Sequence, residues 1–523
     1  MEETAARNVR RFTSHDQPYI KRLPSRRPLS RIATGRFPTE NVDVKFPVTL
    51  VAILWLGSWT GLAATEAPSR KPNVILLLLD DAGWTDTGGF GGRMQTPTFD
   101  RLGAEGMRFT DCHAAAPNCS PSRAGILTGR NPTRVGIYSY LPENHPMHLR
   151  AEEITVAELA RGAGYRTGHF GKWHVSDLDN KTQPGPLEQG FDYSLATSNN
   201  AAPSHRDPVN FARNGQPAGK IAGYSCQIVV DEALTWLKGI GVPEKKSAPF
   251  LACLWFHEPH TPIASPPELV AAYHERYPGI SPREATYLAN IENVDRAVGR
   301  LLAQLDHWGL SDDTVIWFTS DNGPVSASSR GELRGLKSNV WEGGHRVPGI
   351  VRWPGRVAAG SHCDVPVSGI DFLPTFCALA GIEPPRDRVI DGVSLLPLWQ
   401  GRPDMFRRDT PLYWNFYRLN PSLAIREGDW ALVARTDDAA RPKAHQLLRE
   451  DMPYVRTAMP NQFELYNVRN DPGQTTDLSS EQPDRLEHLK QRLLTLHREI
   501  LKEGVAWDIP ADYLSDAPRR LWD

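Results

Sequence analysis

Four short clusters of polar residues follow directly on apolar runs: Asp80-Asp81, Lys172 with His174, His257 with His260, and Asp321-Asn322. Three carboxylates and an amide oxygen make a set of hard donors, the kind that suits Ca²⁺ or Mg²⁺ rather than zinc or copper. The lysine and the histidines add positive charge and proton carriers. Each cluster also has a plainer reading. Adjacent acids often form a solvated turn or a helix cap, "SDNG" is a turn signature, and a lone histidine is usually a satisfied structural residue. Four clusters in the same position relative to a strand argue for convergence, because parallel sheets bind ligands at the carboxyl ends of their strands.

A fifth stretch, "PNCSPSRAGILTGR" from Pro117 to Arg130, sets one cysteine among serines and arginines. Cys119 reads as a buried apolar filler, half of a disulfide, or a reactive atom. Pro121 and Ser122 suit the first turn of a helix through "SRAGILTG", where proline is tolerated and serine caps. Cys119 is then expected just ahead of a helix N-terminus, where the dipole favours negative charge. Arg123 is placed to point back to the same spot and bind an anion.

These residues need a scaffold that brings them together. "NVILLLLDD" from Asn73 is an almost continuous apolar run, as expected of a central strand covered on both faces. "TPTFDRLGAEGMRF" reads as a helix, and "TVAELARGAGYRTGHFGKWH" as a helix, a turn and a strand. "GYSCQIVVDEALTWLKGI" and "YLANIENVDRAVGRLLAQLDHWGL" are helical in period, and "PFLACLWFHEPH" and "DTVIWFTSDNG" are strands. The alternation predicts an α/β fold around a mostly parallel sheet. From about residue 385 the texture changes to short antiparallel strands ("PLYWNFY", "SLAIREGDWALVAR", "FELYNVRNDP") and a closing helix. The expected division is a leader over 1–67, a catalytic domain over 72–384 and a smaller α+β domain over 385–523.

The 523-residue chain has a formal charge of −2, unevenly spread. Residues 1–47 hold ten Lys and Arg against five acids, a net +5, which leaves −7 for the rest. A body of that sign is no partner for nucleic acid. After the basic arm, "VTLVAILWLGSWTGLAATEA" (Val48 to Ala67) has a short apolar core and a small-residue exit. That order predicts a secretory signal and export to the periplasm or medium. A membrane anchor over 48–64 is the lesser reading, because glycines and polar residues interrupt a run shorter than the ~20 residues needed to span a bilayer. The six cysteines (Cys112, Cys119, Cys226, Cys253, Cys363, Cys377) include no CxxC pair, which excludes zinc-ribbon and thioredoxin-type sites. One or two disulfides remain open in an exported chain.

"CSPSRAGILTGR" resembles the C-x-P-S-R-x-x-x-L-T-G-R signature of the type I sulfatases, in the arylsulfatase and N-acetylgalactosamine-6-sulfatase branch. "LLLLDDAGW", "GKWH", "HEPHTP", "TSDNG" and "LRGLKSNVWEGGHRVP" follow in the order of that family's metal, lysine–histidine and lysine-loop motifs, and "FELYNVRNDPGQTTDL" is similar to its closing strand. The likeness spans about residues 72–480. It implies an alkaline-phosphatase-like fold and a nucleophile made by oxidising Cys119 to Cα-formylglycine, with a formylglycine-generating enzyme as maturation partner. It implies one Ca²⁺ on Asp80, Asp81, Asp321, Asn322 and an oxygen of modified Cys119.

By the same likeness a hydroxyl of the formylglycine hydrate attacks the sulfur of a sulfate monoester, giving its proton to Asp321. Arg123, Lys172 and Lys337 neutralise the sulfate, and His260 or Lys337 protonates the leaving alcohol. His174 then takes a proton from the second hydroxyl and expels sulfate. The sulfate contact after the lysine–histidine motif is open among Ser198, Asn199, Asn200 and His205, and His257 either touches substrate or supports His260. The expected substrate is a sulfated carbohydrate. The main alternative is a phosphonate or phosphate ester hydrolase that also uses formylglycine. A two-zinc phosphomonoesterase would need a Ser or Thr nucleophile and more His ligands, and a non-catalytic glycan binder would have lost motif residues.

Overall fold

The structure is a computed structural model, and it describes residues 71–511 and 513 apart from 243, 245, 246, 437–440 and 443–445. The expected leader and the apolar segment Val48–Ala67 lie outside the described residues. Among those described, no helix is long and apolar enough to cross a membrane.

The strand Asn73–Leu79 is buried along its whole length. Its side chains alternate between two cores, as the period-2 geometry of a strand requires. Val74, Leu76 and Leu78 enter one core, and Ile75, Leu77 and Leu79 the other. Its neighbours Phe250–Trp255 and Thr314–Ser320 run parallel to it and divide in the same way. Arg166–Lys172 and Tyr193–Thr197 continue the parallel set. Antiparallel pieces extend both sides, giving a ten-stranded, mostly parallel sheet.

Helices cover both faces. Cys119–Thr128, Val156–Gly162 and Phe372–Ala380 pack on one, and Pro97–Glu105, Ser225–Gly239 and Pro282–His307 on the other. Fully burying each large aliphatic side chain between these layers is worth roughly 1.5–3 kcal/mol, so the sheet is a stiff base for its own edge.

Two expectations need correction. The helix expected through "TPTFDRLGAEGMRF" stops at Glu105, because Gly106 leaves helical dihedrals and Met107–Phe109 pairs as a strand with Gly349–Arg352. The signature helix starts at Cys119 itself, with Asn118 in the extended conformation before it. Cys119 is therefore inside the first turn and Pro121 is its third residue.

Strands Leu412–Asn415, Leu423–Glu427, Trp430–Thr436 and Pro460–Asn467 form an antiparallel sheet. One face packs on the helix Pro483–Glu503 through Leu489, Leu493, Leu496 and Ile500. The other face meets Val340, Trp341 and Ile370. Residues beyond 385 do not leave the first core at once: Leu395, Leu398 and Trp399 still pack there. All six cysteines are buried and free.

Candidate active site

Asp80-Asp81, Lys172 with His174, His257 to His260, and Asp321-Asn322 all stand at the carboxyl ends of adjacent parallel strands, so the sheet brings them to one edge. The chain turns sharply there. Asp81 and His174 have φ of 70° and 56°, in the left-handed region that side chains other than glycine rarely enter. Two glycines permit the close approach. A Cβ on Gly171 would lie 1.9 Å from the Trp255 carbonyl oxygen, and one on Gly323 would lie 2.1 Å from that of Gly343. The second contact is where "TSDNG" meets "WEGGHRVP", and Gly323 N–H donates to the Gly344 carbonyl there.

At the centre are three buried carboxylates, three cations and a histidine. Lys172 Nζ lies 2.7 Å from Asp80 Oδ2. Arg123 donates through Nε and Nη2 to Asp321 Oδ2 at 3.0 and 2.7 Å, and through Nη1 to the Lys172 carbonyl at 2.8 Å. Its guanidinium also lies over the Trp255 ring. Lys337 Nζ is 2.7 Å from Asp81 Oδ1, and His260 Nε2 is 3.5 Å from Asp81 Oδ2. Asn322 Nδ2 donates to Asp81 Oδ1 at 2.7 Å, and the Asp81 N–H donates to Asp321 Oδ1 at 3.1 Å.

Three oxygens in this centre are buried without a hydrogen-bond partner: Asp80 Oδ1, Asp81 Oδ2 and Asn322 Oδ1. Unpaired buried acceptors are costly and rare, and a hard cation is the partner that oxygens of this type satisfy best. Asp80, Asp81 and His260 place ligand atoms within 4.8 Å of one another. The donor set therefore fits a single hard divalent cation. A second group, His113, Glu342 and His345, is already spent internally: His113 bonds Asp111 and His345, and His345 bonds the Val340 carbonyl.

Charge sets the protonation states. Burial alone would raise Asp80, but Lys172, His260, Arg123 and Lys337 outweigh it and hold the carboxyl well below its usual range. Burial and the charges of Asp80 and Asp81 push Asp321 up to about 7, against Arg123. Burial pushes His260 down to about 4, and burial with the Lys172 and Arg123 charges puts His174 well below its ordinary value. Lys337 is raised, because Asp81 more than offsets its burial.

Cys119 is 2% exposed. Burial raises its thiol further than the nearby Lys172 and Lys337 charges lower it. The unmodified residue is thus a protonated thiol at neutral pH.

His174 has one ring nitrogen fixed: Nε2–H donates to the Leu141 carbonyl at 3.1 Å. That leaves Nδ1 as an unprotonated acceptor, buried and unpartnered. Among the four residues considered for sulfate contact, Asn200 reaches the site, its Oδ1 accepting from Lys172 Nζ at 3.1 Å. Ser198 instead serves Asp177, and His205 turns to Asn290 and Glu258. His257 supports its neighbour through the backbone, its carbonyl accepting from the His260 N–H, while its ring bonds the Thr197 hydroxyl.

The sequence offered no signal for the clasp on Lys337. Ser338, at φ 72°, donates its N–H to the Pro117 carbonyl at 2.6 Å, and Asn118 Nδ2 donates to the Ser338 hydroxyl at 3.2 Å. This ties the lysine loop to the residue that caps the Cys119 helix.

Residues 72–382 match the family model described as Sulfatase, and residues 336–499 match that of the N-sulphoglucosamine sulphohydrolase C-terminal region. The chain is 35% identical over 409 residues to N-acetylgalactosamine-6-sulfatase of Canis lupus familiaris, covering 72% of this chain and 74% of that one. It is 33% identical over 421 residues to steryl-sulfatase of Rattus norvegicus, covering 64% and 71%. A solved structure of Ps i-CgsB in complex with k-i-k-neocarrahexaose superposes with a TM-score of 0.69 at 26% identity, over 83% of this chain and 94% of that one. A match across more than half the chain, on a fold whose strand ends carry this site, leads to one assignment: the chain belongs to the sulfatase family.

Proposed function

We propose that this protein hydrolyses sulfate monoesters of carbohydrates, using Cys119 after its oxidation to Cα-formylglycine and one calcium ion. The observation that carries the reading is the position of Cys119. It opens a wholly buried helix, within the fields of Lys172, Lys337, Asp80 and Asp321. A buried, protonated thiol is a poor nucleophile and a poor ligand for a hard cation. The oxidised residue supplies, as its hydrate, two hydroxyls on one carbon. Asp80, Asp81, Asp321 and Asn322 would hold calcium, which supplies Lewis-acid polarisation of the reacting oxygens.

The chain's own groups do the rest. Lys172 and Lys337 offer charge to the sulfate oxygens, and Arg123 fixes Asp321 while its field reaches Cys119. Asp321, held by Arg123 through Nε and Nη2, is the group assigned to take the proton of the nucleophile. Lys337 is protonated in the resting site whereas His260, near 4, is neutral, which favours Lys337 as donor to the leaving alcohol. His174 Nδ1 is the base for the second hydroxyl. The saccharide reading draws on N-acetylgalactosamine-6-sulfatase among the relatives and on the oligosaccharide complex among the structural neighbours. The segment Val48–Ala67 supports export of the enzyme, with a formylglycine-generating enzyme as its maturation partner.

Mass spectrometry of the tryptic peptide Phe109–Arg123, from protein made with the maturation machinery, tests the reading directly. The aldehyde-for-thiol mass loss should track sulfate release from 4-nitrophenyl sulfate, and Cys119→Ala should abolish that release. Full activity with only unmodified Cys119 would sink it, and so would phosphonate diesters turning over much faster than any sulfate ester.

A further inference from the structure

The strand Cys112–His113 leads towards the Cys119 helix, and the chain that follows Lys337 is laid against it. The Ala114 N–H donates to the His345 carbonyl at 2.7 Å and the Val347 N–H to that of Cys112 at 2.9 Å, while Ser338 meets Pro117 further along. One side-chain contact joins the same two segments. His113 Nδ1 lies 3.0 Å from His345 Nδ1, and both residues are buried. A proton must stand between those nitrogens, because two bare lone pairs at that distance repel. The outer nitrogens need protons as well. His345 Nε2 faces the Val340 carbonyl at 3.1 Å, which can only accept, and His113 Nε2 faces Asp111 Oδ1 at 2.7 Å. Burial alone would raise Asp111, but Arg426, whose Nη2 is 2.6 Å from Oδ2, and His113 hold it well below the usual carboxylate range. Asp111 is therefore an acceptor too. Three contacts take three protons, whereas two neutral imidazoles carry two.

The surroundings suit one extra positive charge on the His113 side. Burial and the charge of His113 put His345 well below its ordinary value, so His345 is the neutral partner. Glu342 brings a carboxylate oxygen within 4.8 Å of ring nitrogens of both histidines, and it pairs in turn with Arg346. Asp371 acts on the neighbouring Cys112. The Trp414 ring stacks on His345 with centroids 3.9 Å apart and lies 5.1 Å from His113, offering an aromatic face to a cation. We propose that His113 and His345 share one extra proton as a buried imidazolium–imidazole pair, and that this pair positions the Lys337 loop against the segment bearing Cys119. Without that proton the two Nδ1 lone pairs face each other and drive the segments apart. The positioning role rests on the sulfatase reading, and the shared proton does not.

The test uses matured, calcium-loaded, full-length enzyme. Long-range ¹H–¹⁵N spectra of protein carrying ¹⁵N-labelled histidine, at pH 7.5, should show a buried ring protonated on both nitrogens. That signal should vanish in His113→Phe, and should shift in His345→Leu if the first variant fails to fold. A His113 ring with a single proton overturns the proposal. So does one equivalent of bound zinc per chain that is lost in His345→Leu, because a metal would then stand where the proton is placed. Kinetics read the positioning. A proton donor to the departing alcohol matters most when that alcohol is a poor leaving group. His345→Leu, which removes the acceptor for His113, should slow phenyl sulfate at least threefold more in kcat/KM than 4-nitrophenyl sulfate. His345→Asn, whose side-chain oxygen can still accept from His113, should keep the wild-type ratio within twofold. A merely structural defect would slow both substrates alike, and an unchanged ratio in His345→Leu overturns the positioning role. Absence of any sulfate ester hydrolysis by enzyme with modified Cys119 removes the sulfatase reading and the positioning role with it, and the spectrum alone then decides the shared proton.

Discussion

Lys172 Nζ and Asp80 Oδ2 lie 2.7 Å apart with both side chains fully buried. The ammonium also bonds Asn200, so one cation ties the carboxylate centre to the segment that follows the strand Tyr193–Thr197. Removing one member of a buried pair leaves the other uncompensated, at a cost of about 3–5 kcal/mol. Lys172→Ala should therefore lower the melting temperature as well as activity. Loss of a charge aimed at the reacting group adds about 10²–10³ in kcat. A variant of wild-type stability that retains more than a tenth of kcat on 4-nitrophenyl sulfate would contradict this account.

Calcium affinity should depend on pH through Asp321. Its carboxyl is pushed up to about 7 by burial and by the charges of Asp80 and Asp81. Below that value the residue holds a proton that a cation must displace, so affinity weakens as pH falls through 7. Chelator-stripped enzyme should melt lower than the calcium-loaded form, by the equivalent of about 2.7 kcal/mol when free calcium is a hundred times Kd. Calcium titrations by calorimetry at pH 6 and pH 8 should show weaker binding and greater proton release at the lower pH. Equal affinities at both would exclude Asp321 as a ligand that titrates in this range.

A second carboxyl predicts the opposite trend in stability. Asp86 is pushed up to about 7, mainly by burial, although the Tyr287 hydroxyl at 2.5 Å and the Gly83 N–H at 2.7 Å donate to it. Its folded-state value is raised above the unfolded one, so its contribution is fully present below about 4 and lost as pH rises through 7. The shift corresponds to at most about 4 kcal/mol, using ~1.4 kcal/mol per unit. Wild type should lose stability between pH 5 and pH 8, and Asp86→Asn should flatten that slope. Denaturant unfolding at the two pH values decides it, and an unchanged slope would place the charge elsewhere.

Much of this site was legible because its residues sit where strands end. Apolar runs such as "NVILLLLDD" mark buried parallel strands, and the edge they share follows from topology, so Asp80, Lys172, His260 and Asp321 could be gathered without coordinates. The start of the signature helix was misplaced because Pro121 is acceptable in any of the first helical positions, and sequence does not say which. The short strand Met107–Phe109 was hidden by its neighbour's helical period. Direction was the least legible property. Residue type could not say that Arg123 turns to Asp321 instead of open solvent, or that Asn200 faces Lys172 while His205 faces Glu258. Those choices depend on left-handed residues such as Asp81, His174 and Ser338, whose strain is paid for by contacts distant in sequence.

His174 separates two halves of the proposed reaction. Its Nε2–H is committed to the Leu141 carbonyl, and its bare Nδ1 is the one acceptor left on the ring. Nothing in that geometry helps the first step, in which alcohol leaves, but release of sulfate needs a base. In His174→Ala the alcohol should appear in a rapid burst of about one equivalent per enzyme, the signature of a stalled second step. Steady turnover should then fall by about 10²–10⁴, the range a positioned base contributes. His174→Gln should behave the same way, because its amide can keep the bond to Leu141 yet supplies no base. Rapid-mixing measurements with 4-nitrophenyl sulfate read both phases at once. Loss of the burst together with the steady rate would show that His174 acts before the alcohol departs, and the assignment of the second step would pass to another group.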